Sequence, residues 1–124
     1  MITREQYMMG RDTEYPTTEQ LEINAAILLF RVNRLLRDMF PGVTNWINES
    51  GYRPGRHNAK YSPGSAHVTC EAIDLGDVKG TLKKALTPEI LEKYDLYMEH
   101  PSATPTWCHL TKRAPKSGRR IFYP

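Results

Sequence analysis

Two histidines and one aspartate could do chemistry together in this chain: His67, Asp74 and His109. Two imidazoles and a carboxylate are a common ligand set for a catalytic divalent ion, above all zinc, because they leave a coordination position open for water. An ion so held lowers the pKa of its water from about 15.7 towards roughly 7, which makes a nucleophile available at neutral pH. One zinc ion is the cofactor such a set would hold, although by spacing alone the three residues also read as surface or hydrogen-bonding groups.

The spacing permits such a site. His67 ends a loop and Asp74 lies in the strand-like run Glu71–Leu75 that follows. Seven extended residues span about 24 Å, so the chain must fold back for both side chains to converge. Alternation along a strand puts Ala72 and Asp74 on one face, Ile73 and Leu75 on the other. In the late run Trp107–Lys112, Trp107 and His109 share a face while Cys108 and Leu110 point away. Two neighbouring strands could thus each offer one ligand to a cleft and apolar residues to a core. Two other metal sites can be written. His67, Cys70, Cys108 and His109 would make a structural zinc site, but Cys108 and His109 alternate to opposite faces. Two histidines and a carboxylate also describe a non-haem iron triad, whose close His-x-Asp spacing this chain lacks.

The elements that must position these groups follow from periodicity. Residues 1–16 read as an extended N-terminal arm. Thr17 is the expected N-cap, with Gln20 completing a capping box, and Leu21, Ala25, Leu28, Leu29, Val32, Leu35, Leu36 and Met39 recur at helical spacing until Pro41-Gly42. Asn45–Glu49 reads as a short strand. Residues 54–65 form a loop rich in Gly, Pro, Ser and Asn. Lys79–Tyr94 is helical in tendency, with Thr87-Pro88 opening a second piece. Leu96–Glu99 and Ile121–Tyr123 complete the set of strands. A long helix first and short strands later give an α+β class, in one domain spanning 1–124.

Composition bounds the rest. Hydrophobic residues make up 40% and charged residues 25%, as in globular domains, and no apolar run approaches a membrane span. The polar N-terminus does not read as a signal peptide, so synthesis in a cytoplasm is expected. Two cysteines are too few for a disulfide framework and are read as buried thiols. The net charge of +3 is mild. Lys112, Arg113, Lys116, Arg119 and Arg120 make a basic C-terminal segment, 113–124, read as a solvated tail. With only Phe122 and Tyr123 beside it, nucleic acid is not the expected partner. The chain is expected to be a monomer.

Three ordered motifs carry a resemblance. Ser65-Ala66-His67-Val68-Thr69-Cys70-Glu71-Ala72-Ile73-Asp74 resembles the S-x-H-x-x-G-x-A-x-D motif of M15-type zinc peptidases. That family includes D-Ala-D-Ala carboxypeptidases and phage L-alanyl-D-glutamate endopeptidases. Ser50-Gly51-Tyr52-Arg53 resembles its S-G-Y-R turn, and Trp107-Cys108-His109-Leu110 its W-x-H segment. The resemblance spans about residues 45–112, and the flanking helix and basic tail are similar to small phage-encoded members. It implies a hedgehog/DD-peptidase fold, a small antiparallel sheet with helices on one side. It implies His67, Asp74 and His109 as the metal ligands. Arg53 would face the scissile carbonyl or its oxyanion, and Ser65 would bind a substrate carboxylate or carbonyl. The substrate would be the stem peptide of bacterial peptidoglycan, cut by a phage lysin or a virion-associated enzyme that reaches the cell wall after release from the host cytoplasm.

Two positions depart from the pattern. Cys70 replaces a glycine, which is tolerable if its backbone is not left-handed. Thr106 stands where the family has an acid, three residues before the third ligand, serving as general base. Glu99, at the end of the strand expected beside the ligand-bearing one, is the substitute. Glu71 alternates away from Asp74 and is the weaker candidate, and His57 and His100 are possible cleft residues. The missing acid also motivates a second reading, a metal-binding domain of this fold that has lost catalysis and serves as a structural or interaction module.

Overall fold

The computed structural model describes residues 1–54 and 64–124. The elements run α1 (Arg4–Met8), α2 (Arg11–Glu14), α3 (Glu19–Met39), β1 (Asn48–Ser50), β2 (Ala72–Gly76), α4 (Thr81–Ala85), α5 (Pro88–Lys93), β3 (Tyr97–Glu99), a 3-10 turn (Pro101–Ala103), β4 (Trp107–Thr111) and β5 (Ile121–Phe122).

The long helix starts one residue later than its sequence suggested. Thr18, not Thr17, is the N-cap, and its hydroxyl accepts the Leu21 N–H at 3.2 Å. Thr17 gives its hydroxyl to the Glu22 carboxylate instead, and Gln20 reaches along the helix to Asn24. Ala25, Leu28, Leu29, Val32, Leu35 and Leu36 are buried, as the spacing required. Its partners in one continuous core include Ile73 and Leu75 from β2, Met98 from β3 and Cys108 and Leu110 from β4.

The N-terminal arm is not extended. Thr3 and Gln6 form a capping box that starts α1, and Met9 (φ 56°) with Gly10 (φ 74°) turns the chain into α2. A five-residue helix cannot hold itself together in water, so tertiary contacts must fix it. Ile2, Tyr7 and Met8 enter the core. The Asn33 side chain takes the Ile2 N–H at 2.8 Å and donates to its carbonyl at 3.0 Å. The Tyr7 hydroxyl donates to the Ala72 carbonyl at 2.8 Å, which ties α1 to the start of β2.

The sheet has five strands in the order β1-β2-β4-β3-β5, and it is mixed rather than wholly antiparallel. β1–β2, β2–β4 and β4–β3 pair antiparallel, but β5 runs parallel to β3. The cause is topological. The turn at residues 115–118 reverses the chain after β4, yet both edges of β4 are already taken. The returning strand must settle on the outer edge of β3, where antiparallel to β4 means parallel to β3.

Alternation then sorts the side chains. Ile73, Leu75, Cys108 and Leu110 are buried in the core, and Asp74 and His109 point to the other face, as the sequence pattern required. Both cysteines are fully buried thiols in that core. Burial pushes the Cys70 thiol up to about 12 and the Cys108 thiol higher still. They take no part in the metal cluster described below, which removes the structural-zinc alternative.

Candidate metal centre

His67 reaches the site through a capped turn. Glu71 N–H bonds to the Ala66 carbonyl at 2.8 Å and Cys70 N–H to the His67 carbonyl at 3.4 Å, the paired bonds of a Schellman motif. That motif needs a left-handed residue, and Cys70 has φ 59°. The condition under which cysteine would be harmless here is thus not met, and a non-glycine residue in this region costs about 1–2 kcal/mol. The Cys70 pair of variants gives a test. Ordinarily glycine is less stable than alanine; here Cys70→Gly is expected to be more stable than Cys70→Ala by about 1 kcal/mol, read as a higher urea midpoint. Equal midpoints, or the usual order, would remove the strain argument.

The Ser50-Gly51-Tyr52-Arg53 segment wraps the same histidine. The Gly51 carbonyl lies 2.8 Å from His67 Nδ1, and Arg53 N–H donates to the His67 carbonyl at 3.1 Å. Gly51 can serve because it has no side chain: a Cβ there would stand 2.0 Å from the Tyr7 carbonyl oxygen. The Ser65 hydroxyl accepts the His67 N–H at 3.2 Å.

Asp74 and His109 are direct register partners across β2 and β4. Asp74 Oδ1 lies 2.8 Å from His109 Nδ1, and Oδ2 lies 3.3 Å from His67 Nε2. One ligand atom from each of the three residues falls within 4.8 Å of the others. Donors at tetrahedral angles around zinc, each about 2.0–2.1 Å from it, lie about 3.3–3.4 Å apart. The two separations to Asp74, 2.8 Å and 3.3 Å, bracket the lower side of that range.

The protonation pattern favours a cation. His67 is fully buried, and burial lowers its pKa against the opposing pull of Asp74; the charges of His109 and Arg53 lower it further. A carbonyl can only accept, so the neutral ring keeps its proton on Nδ1 for Gly51. Nε2 is then a lone pair, buried without a hydrogen-bond donor, and it faces a carboxylate oxygen. Burial pushes the Asp74 carboxyl up, but hydrogen bonding, which we assign to His109, holds it below the usual carboxylate range. Two lone pairs facing one another out of water are costly, and a positive ion between them removes the conflict. The donor set fits one divalent metal ion.

Glu99 stands beside this cluster. Its Oε2 is 4.0 Å from His109 Nδ1, and burial, with the charge of Asp74 adding to it and that of His109 opposing, raises its pKa. Arg53 is half-buried, and its charge acts on His67. Thr106 is exposed, and its carbonyl accepts the Asp77 N–H at 2.9 Å. Glu71 points elsewhere, paired with Lys112 at 3.6 Å and Arg113 at 3.1 Å. His100 bonds Ser102 and stacks on Tyr123 at 4.3 Å. His57 lies outside the described residues.

Several positioning groups escaped sequence reasoning. Lys83 is buried and donates to the carbonyls of Thr104 at 2.6 Å and Trp107 at 2.9 Å, beside Asp77 at 3.6 Å. It joins the ends of the two ligand strands. Arg113 is not part of a solvated tail: its guanidinium donates to Thr69 Oγ1 at 2.7 Å, Glu71 at 3.1 Å and the Gly64 carbonyl at 2.8 Å, bracing the His67 turn. Arg120 likewise pairs with Asp95 at 3.1 Å and lies over the Tyr97 ring. Phe122 packs nearly perpendicular to the His109 ring, centroids 6.4 Å apart. A lone basic residue or aromatic gives no sequence signal of this kind, since each partner lies far along the chain.

The chain matches no protein-family model, no curated protein and no solved structure. Function is therefore read from the chemistry of the site and from the three short motifs.

Proposed function

We propose that this chain is a zinc-dependent peptidase of the hedgehog/DD-peptidase type, resembling M15 enzymes and cutting the stem peptide of bacterial peptidoglycan. His67, Asp74 and His109 hold one zinc ion. The observation that carries the reading is the buried His67 Nε2 facing the Asp74 carboxylate, a pair of acceptors 3.3 Å apart that only a cation or a proton reconciles. Zinc in a set of two histidines and one aspartate supplies Lewis acidity and acidifies water.

The remaining chemistry belongs to the chain. Glu99 takes a proton from the attacking water and passes it to the leaving amine, a role its raised pKa and its place beside His109 suit. Arg53 stabilises negative charge developing on the scissile carbonyl oxygen, where a fixed cation has its greatest effect. Ser65, whose oxygen already accepts the His67 N–H, has its hydroxyl proton left to donate to a substrate oxygen. A cell-wall substrate fits a phage lysin or virion-associated enzyme. Among the described residues no helix is long and apolar enough to cross a membrane.

One observation favours the second reading, an impaired metal-binding module: Thr106 is an exposed hydroxyl where the resembled family has an acid. Digestion of purified peptidoglycan, followed by mass spectrometry of the muropeptides, separates the two. Cleavage of one stem bond, abolished by a chelator and restored by zinc, is the expected result. No cleavage at any pH with one metal bound per chain would establish the module instead, and no metal binding would end both readings.

A further inference from the structure

The face of α3 turned away from the core carries large apolar side chains between its charged ends. With about 100° between successive residues, Leu28, Val32 and Leu35 mark the buried side, Ile23 and Phe30 fall opposite them, and Ile27 lies on the flank. These three are 44%, 37% and 63% exposed. A helix on the surface of a domain ordinarily turns charge to that side. Here Phe30 instead forms a ridge between two open grooves of about 700 Å³ and 500 Å³, with Ala26 and Arg34 on the walls of both.

We propose that a second copy of this chain covers this face, through an antiparallel α3–α3 contact about a twofold axis. The sequence of the exposed stripe is complementary to itself. About a point between Ala26 and Ile27, Glu19 matches Arg34, Ile23 matches Phe30, and Ala26 matches Ile27. A twofold contact requires that reciprocity, because each residue must meet the partner's counterpart and be met by it in return. All six side chains are exposed. The small Ala26 at the axis lets the helices approach, and the Phe30 ring of each copy meets Ile23 of the other. The acid lies in the first turn of α3 and the arginine towards its C-terminal end, so the antiparallel arrangement also opposes the two helix dipoles. The Arg34 guanidinium lies over the Phe30 and Tyr94 rings, at 5.6 Å and 5.8 Å, at the rim where the partner's Glu19 would arrive. This assembly replaces the monomer expected from the sequence, and it leaves the face bearing Asp74 and His109 uncovered, since α3 packs on the other side of the sheet.

Sedimentation velocity of the full chain from about 1 µM to about 1 mM tests it. A reversible monomer–dimer equilibrium is expected. Phe30→Glu should weaken it at least about 30-fold, as for a central aromatic anchor. Arg34→Glu and Glu19→Arg should each weaken it, and the double charge reversal should restore it to within about threefold, which a merely damaged surface would not show. All four variants change exposed side chains, so circular dichroism checks that each is folded. A wild-type chain that stays monomeric throughout overturns the proposal, as does a double reversal that fails to rescue. A monomer that instead sediments with phosphatidylglycerol vesicles, and loses this with Phe30→Glu, also overturns it and makes a lipid surface the occupant.

Discussion

Replacing Asp74 by asparagine is expected to weaken zinc binding by more than about 100-fold and to abolish zinc-dependent hydrolysis while the domain stays folded. Removing a group that merely orients a ligand costs about 10–100-fold in affinity, and Asp74 does more than orient. In the proposed site it would supply the negative charge opposite a divalent ion, and its two oxygens lie 2.8 Å and 3.3 Å from the two histidines. Asparagine keeps the shape, and its amide N–H can satisfy His67 Nε2, so the metal-free protein loses little. The contrast appears in thermal unfolding. Zinc at about 1,000 times its dissociation constant stabilises a folded protein by about 4 kcal/mol, which for a domain of this size raises the midpoint by on the order of 15 °C. The wild type should show that rise and Asp74→Asn should not. Competition against a chromophoric chelator gives the affinities directly. Near-wild-type affinity in the variant would mean that Asp74 is not a ligand and that the cluster is only a hydrogen-bonded triad.

The parts of this site that were legible in the sequence are those governed by local period. Alternation in β2 and β4 sent Asp74 and His109 to the face opposite Ile73, Leu75, Cys108 and Leu110, and the structure follows it. Alternation cannot say that the two are register partners, since the pairing of residues 35 apart is decided by the whole sheet. Nor could the sequence show that Cys70 caps the His67 turn in a left-handed conformation, because cysteine there hides the glycine signal. The carbonyl of Gly51 leaves no mark in side-chain chemistry. The helical N-terminal arm is hidden for a related reason: five residues show no helical period, and what fixes α1 is Tyr7 and Ile2 packing on elements dozens of residues away. The basic segment looks solvated in sequence because Arg113 and Arg120 find Glu71 and Asp95 only in the folded chain.

Glu99→Gln is expected to lower kcat by about 10²–10⁴-fold, the usual contribution of a general base, while changing zinc affinity far less than Asp74→Asn does. The separation of the two effects follows from distance. Glu99 Oε2 is 4.0 Å from His109 Nδ1, near enough to exchange a proton with a molecule bound between them, and Glu99 is not among the three residues whose ligand atoms converge. Glutamine preserves the volume and the half-buried environment and removes only the ability to take a proton. If KM stays near its original value while kcat falls, Glu99 acts in the chemical step and not in binding. A companion variant tests whether the role can move. Thr106→Glu restores the acid that the resembled family carries three residues before the third ligand. In the Glu99→Gln background it should recover a measurable part of the lost rate if a carboxylate near His109 is what the reaction lacks. Near-normal hydrolysis by Glu99→Gln with its metal intact would instead remove Glu99 from the mechanism. The proton would then have to leave through another group, and the half-buried Glu99 would be a spectator whose raised pKa reflects only burial and the charge of Asp74.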